Sequence, residues 1–198
     1  MKQKQVNVIL VNDQDQPIGF CEKLEAHETG ALHRAISVFL TSTGKLDMDN
    51  DNRVLLQQRA STKYHSPNLW SNAACTHPLE GETPEQAARR ALKTELGIEV
   101  DHLDYQGHFI YKTPVSTIFE DGSNRADLIE HEYDHVFVGK FEPSAPIPFN
   151  PDEVEHIRWT PLADIHSELD NHPEEFTHWY PYLLRFLGTT DKAVDYRL

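Results

Sequence analysis

Two short stretches hold side chains suited to moving protons. In LWSNAACTHP, residues 69–78, Cys75 and His77 stand two apart, so extended backbone puts thiol and imidazole on one face. In IEHEYDHVFVG, residues 129–139, Glu130 and Glu132 alternate with His131. As a strand, that segment carries both carboxylates on the face of Val136 and Val138, which should point inward. Two buried like charges repel and lose hydration. A divalent cation relieves both costs, or one carboxyl stays protonated. An exposed acidic strand end fits the same letters, as a small buried hydrophobe fits Cys75.

Two further groups add to this set. HETGALH places His27 and His33 around a glycine-containing bend, and imidazole is the commonest metal ligand; surface histidines are the plain alternative. Glu95 follows Ala91 and Leu92 at helical spacing, which continues a buried stripe unless the helix end frays. A buried carboxylate requires a partner or a metal. Nitrogen and oxygen ligands together suit Mn²⁺, Mg²⁺ or Zn²⁺ without selecting one.

The elements that must position these residues alternate between strand and helix patterns. Residues 6–11, 33–41, 53–58, 105–112, 130–139 and 154–160 read as strands, with a turn at 12–17. Residues 83–96 form the clearest helix, with Thr83 as cap, Pro84 in the first turn and Gly97 at the end. From Pro161, PLADIHSEL and PEEFTHWYPYLLRFL read as helices. The loop with Asp47, Asp49 and Asp51 begins like a calcium loop, but Asn52 stands where its glycine belongs and Gln58 where its last glutamate belongs. It reads as a solvated hairpin loop. One α+β domain spanning residues 1–198 is the economical expectation.

Composition narrows the function classes. A net charge of −14 argues against a broad nucleic-acid face. Two cysteines, Cys21 and Cys75, indicate no disulfide framework and fit a reduced, cytoplasmic setting. No stretch reads as a signal peptide or membrane span.

Six blocks resemble one family in order: EKLEAH (22–27), LHRAISVFL (32–40), LLQQRAS (55–61), LWSNAACTHPLEGE (69–82), ELGIE (95–99) and IEHEYDHVF (129–137), and FTHW (176–179) resembles that family's C-terminal tryptophan segment. The family is the type 1 isopentenyl-diphosphate isomerases. The resemblance implies a Nudix-type α/β/α sandwich with a mixed sheet, an added N-terminal strand and C-terminal helices. It implies that His27, His33, His77, Glu130 and Glu132 ligate a buried Mn²⁺, Mg²⁺ or Zn²⁺. Cys75 and Glu132 are then the opposed acid and base, with Tyr111 beside the carboxylate and Trp179 facing a developing cation. Glu95 and the Cys75 carbonyl would hold a Mg²⁺ on the diphosphate, which Lys23, Arg59 and Lys63 would grip. The implied partner is a small diphosphate substrate, without nucleic acid or membrane, for a monomer or weak homodimer. A narrow dry pocket suits such chemistry.

One departure concerns the helix. The family usually has an arginine four residues before Glu95, and here Ala91 stands there; Arg90, Arg89 and Lys93 are the available substitutes. The competing expectation is a Nudix pyrophosphohydrolase, but RRALKTELG lacks the carboxylates such a box uses to activate water. A silent binding module is the third reading.

Overall fold

The computed structural model describes residues 6–47, 52–63, 65–118, 124–188 and 193–197. Among the described residues, ten strands are β1 (Asn7–Val11), β2 (Pro17–Glu22), β3 (His33–Thr41), β4 (Arg53–Arg59), β5 (Trp70–Ser71), β6 (Ala74–Thr76), β7 (Leu103–Ile118), β8 (Asn124–Lys140), β9 (Val154–Pro161) and β10 (Ala193–Asp195). The same residues form the α-helices α1 (Lys23–Thr29), α2 (Pro84–Ala91), α3 (Leu162–Asn171) and α4 (Tyr180–Leu187). The sheet is mixed. β3 runs parallel to β8 and antiparallel to β6, while β7 and β8 form a long antiparallel pair.

β3 is the hub, and its sequence explains why. Alternate residues Ile36, Val38 and Leu40 pack toward α2, whereas Phe39 packs toward α4. A strand apolar on both faces belongs inside a layered fold. Helices thus cover both sides of the sheet, as expected for the α+β sandwich. The face that carries Phe39 also carries His33 and Ser37, because side chains alternate.

α2 starts and ends where its letters indicate. Thr83 accepts from the Gln86 amide and Gln86 answers on the Thr83 amide, a complete capping box. The expected helix through residue 96 is not uniform, however. After Ala91 it widens into a π-helical turn, Leu92–Leu96, closed by the Gly97 amide on the Leu92 carbonyl. Gly97 has φ 68°, and a Cβ there would meet the Pro148 carbonyl oxygen at 2.7 Å, so glycine is required. Leu92 and Leu96 are fully buried and contribute about 1.5–3 kcal/mol each. Single π turns often mark functional sites, and this one holds Glu95.

Three expectations need correction. The bend expected at HETGALH is preceded by a helix, α1, which carries His27 and ends at Gly30 with φ 66°. Seven residues are too few to show helical periodicity. PEEFTHWYPYLLRFL is not one helix: a 3₁₀ turn spans Pro173–Glu175, Phe176 bridges Trp70 in extended form, and α4 begins only at Tyr180. Finally, β7 and β8 run well past the expected residues 105–112 and 130–139. Asp49 and Asp51 of the acidic loop lie outside the described residues, while Asp47 is exposed and accepts from Asn52 at 2.9 Å.

Candidate active site

α1, β3, β6 and β8 bring four ligand-type side chains together. One atom each from His27, His33, His77 and Glu132 lies within 4.8 Å of all the others. Parallel pairing sets His33 opposite Glu132, and β6 on the other side of β3 leads directly into His77. The imidazoles are oriented by backbone: His27 Nδ1 lies 2.6 Å from the Lys23 carbonyl and His33 Nδ1 2.8 Å from the Ala31 carbonyl. Those carbonyls require N–H at Nδ1, so Nε2 of each ring faces inward with its lone pair. His33 Nε2 and His77 Nε2 approach to 3.2 Å. Converging lone pairs beside a buried carboxylate fit a divalent cation, which would satisfy all of them.

Glu130 belongs to this region but points differently. Its Oε1 is 3.7 Å from His27 Nε2 and 2.9 Å from His65 Nε2. Among the described residues, the tight group is therefore four, with Glu130 beside it. Tyr111 spans the two carboxylates, its hydroxyl 2.9 Å from Glu130 Oε2 and 2.8 Å from Glu132 Oε2. One hydroxyl hydrogen cannot fully serve two anions, a second sign that positive charge belongs here. Burial pushes the Glu132 carboxyl up, but contacts with His33 and His77 outweigh it and hold it well below the usual range. Burial, then Lys23, lowers the His77 imidazole to about 3. A neutral imidazole is the ligating form.

Cys75 lines the same cavity, about 260 Å³ in volume, as Glu132, Trp179 and Glu95. Burial and the neighbouring Asp134 push its thiol up to about 12. It therefore keeps its proton at neutral pH and is suited to donating it. Trp179 is only 5% exposed and stacks on His65, ring centroids 5.7 Å apart. The cavity is not the narrow, dry pocket expected. It is partly open, and Lys23, Arg59, Lys63, Arg90 and Glu153 stand among its lining residues.

The cations at the other end of the cavity are held in place by protein partners. Lys63 pairs with Glu153. Arg59 donates to the His65 and Ser66 carbonyls at 2.9 and 3.1 Å and lies over Trp179. Arg90 lines the cavity, forks onto Glu82 and reaches the His77 carbonyl at 3.0 Å. Of the three substitutes for the missing arginine, Arg90 alone lines this cavity; Arg89 donates to Glu85 and the Val100 carbonyl, and Lys93 to Glu99. Ala91 itself is buried in the core. Glu95 accepts from Gln57 at 2.9 Å, and burial pushes its carboxyl up to about 7.

Sequence reasoning overlooked several residues here. Asp134 continues the Glu130–Glu132 alternation and is buried, accepting from Ser37 at 2.8 Å. Burial and Glu132 hold its carboxyl well above the usual range. His65 sits in a loop just before the left-handed residues Ser66 and Asn68 and has no periodicity to reveal it. Glu153 lies in the turn before β9 and reveals itself through Lys63.

With this geometry, the comparisons with known proteins have a clear meaning. A NUDIX domain model matches residues 31–180. A crystal structure of DR0079 from Deinococcus radiodurans agrees in fold, with TM-score 0.68 at 19% identity over 92% of this chain and 99% of that one. Within that fold class, relatives are more specific. The chain is 41% identical to "Isopentenyl-diphosphate Delta-isomerase 2" of Aromatoleum aromaticum, over 87% of this chain and 81% of the relative. It is 40% identical to "Isopentenyl-diphosphate Delta-isomerase" of Photobacterium profundum, over 91% and 93%. The chain belongs to the isopentenyl-diphosphate Delta-isomerase family.

Proposed function

We propose that this chain interconverts isopentenyl and dimethylallyl diphosphate, moving the double bond by adding a proton and removing another. The observation that carries this is the meeting of Cys75, Glu132 and Trp179 in one cavity beside the converging imidazoles. Protonation of the terminal alkene carbon gives a tertiary carbocation. Loss of a proton from the carbon on the other side of the cationic centre completes the shift. Cys75 and Glu132 are the two groups that deliver and remove these protons. Tyr111 holds the Glu132 carboxylate in place. The Trp179 face stabilises the cation by about 2 kcal/mol or more when desolvated.

His27, His33, His77 and Glu132, with Glu130 beside them, would hold a Mn²⁺, Mg²⁺ or Zn²⁺ ion. Bound there, the ion supplies positive charge that fixes and tunes the Glu132 carboxylate. Glu95 and the Cys75 carbonyl would hold Mg²⁺ on the diphosphate, and Lys23, Arg59, Lys63 and Arg90 grip its oxygens. Grip remote from the reacting carbons aligns the substrate without taking part in the chemistry. We assign residues 1–198 to one domain acting as a monomer or weak homodimer in the cytoplasm. No helix among the described residues is long and apolar enough to cross a membrane.

The test is proton NMR of the protein with isopentenyl diphosphate, alongside an assay for released phosphate. Dimethylallyl diphosphate without phosphate supports the reading. Phosphate or diphosphate release without an isomer overturns it in favour of hydrolysis.

A further inference from the structure

Asn72 is fully buried and does not line the cavity, yet its amide ties together the two groups that face the substrate. Its Nδ2 donates to the Val38 carbonyl at 3.1 Å and the Ala74 carbonyl at 2.9 Å. Backbone carbonyls only accept, so both amide hydrogens are committed and the amide cannot be flipped. Its oxygen must therefore point the other way. There it receives the Cys75 thiol at 3.0 Å, the Ser71 hydroxyl at 3.0 Å and the Trp179 indole N–H at 3.4 Å. The indole can only donate, which independently fixes the amide orientation.

We propose that Asn72 is a positioning residue whose single amide oxygen fixes both the direction of the Cys75 S–H and the plane of the Trp179 indole. This deepens the isomerase reading and rests on it. The amide chemistry is specific. An aspartate would set an anionic oxygen against two carbonyls, and an aliphatic residue would release both the thiol and the indole.

The same oxygen joins two separate parts of the chain. Thr177 donates its hydroxyl to Ser71 at 3.3 Å and its backbone amide to the Trp70 carbonyl at 3.0 Å. The segment that carries Trp179 is thereby registered against the strand that leads to Cys75. Thiol and indole share one acceptor, so the direction of each depends on where that amide oxygen is held. The Ser37 hydroxyl, 3.6 Å from the sulfur, donates to Asp134. Ser37 can then only accept from the thiol, and it lies farther from the sulfur than the Asn72 oxygen at 3.0 Å.

The test uses the metal-loaded, full-length protein. In Asn72→Ala, kcat should fall about 100-fold, the scale of a misplaced reacting group, while KM stays within about twofold. The infrared S–H stretch of Cys75, assigned by its loss in Cys75→Ala, should move to higher wavenumber as its hydrogen bond is lost. A purely structural role would lower the melting temperature and leave that band in place. A kcat within about threefold of wild type, or an unmoved band, overturns the proposal. Should Asn72→Ala fail to fold, Trp179→Phe keeps the ring and removes one competing donor. The band should then move to lower wavenumber, and an unmoved band again counts against Asn72. If wild-type protein makes no dimethylallyl diphosphate, the isomerase reading fails instead, while the band still tests the thiol bond.

Discussion

The two ends of the cavity are prepared in opposite ways. At the His/Glu end, backbone carbonyls of Lys23 and Ala31 orient His27 and His33, and Tyr111 spans the two carboxylates. Among the described residues, the contacts a cation would replace there are those between the ligands themselves, such as His77 with Glu132 at 3.0 Å. At the cationic end, Lys63 and Arg90 are held by Glu153 and Glu82. A diphosphate must compete with those acids or recruit the spare donors of each cation. The first end is rigid before substrate arrives, and the second is organised by partners the substrate replaces. The chemical end should therefore respond to substitution in kcat, and the gripping end in KM.

The largest effect expected is at the thiol. Cys75→Ala should lower kcat by about 10²–10⁴-fold, the usual contribution of a positioned acid or base, with metal content unchanged by elemental analysis. Near-wild-type turnover would place the proton donor elsewhere. Glu132→Gln should lose activity and metal together, because it removes an anionic ligand from the tight group of four. Retained metal would show that Glu132 is not a ligand. Tyr111→Phe is milder. The two carboxylates lose the one hydroxyl hydrogen they share, worth about 1–3 kcal/mol, so kcat should drop about tenfold; an unchanged kcat would make the phenol structural. Lys63→Ala should raise KM about tenfold, the worth of one charged hydrogen bond, with kcat little changed. A fall in kcat alone would erase the contrast between the ends.

The smallest effect concerns pH. Burial holds the Glu95 carboxyl near 7 in the metal-free fold, against 4.5 unfolded. Between those values the folded state binds the extra proton, so this residue's contribution to stability falls as pH rises from 4.5 toward 7. The same proton competes with Mg²⁺. Apparent Mg²⁺ affinity in the isomerase assay should thus weaken as pH falls below about 7, by up to about tenfold per unit. A flat Mg²⁺ requirement across that range would remove Glu95 from the metal-binding role.

The contrast between the ends also explains what the sequence revealed. Strand alternation exposed the shared face of Glu130 and Glu132 and the pairing of Cys75 with His77, because a period of two is local. The cap at Thr83 and the stop at Gly97 were legible for the same reason. α1 was not, since a short helix entered directly from β2 shows no repeat. The π turn at Glu95 depends on packing against Pro148 and the Asn150 amide, which lie far away in sequence. The acids Glu82 and Glu153 were hidden because salt-bridge partners eight and ninety residues away leave no local signature. The converging imidazoles were suggested only by the family resemblance, since three separate segments supply them.

The central claim is that a thiol and a carboxylate exchange protons with one five-carbon substrate. Deuterium incorporation from D₂O, read by NMR, tests it most directly. Label should enter the new methyl group of dimethylallyl diphosphate with no phosphate released, and Cys75→Ala should abolish that label. Product free of deuterium at that methyl, or phosphate appearing in place of the isomer, would contradict the account.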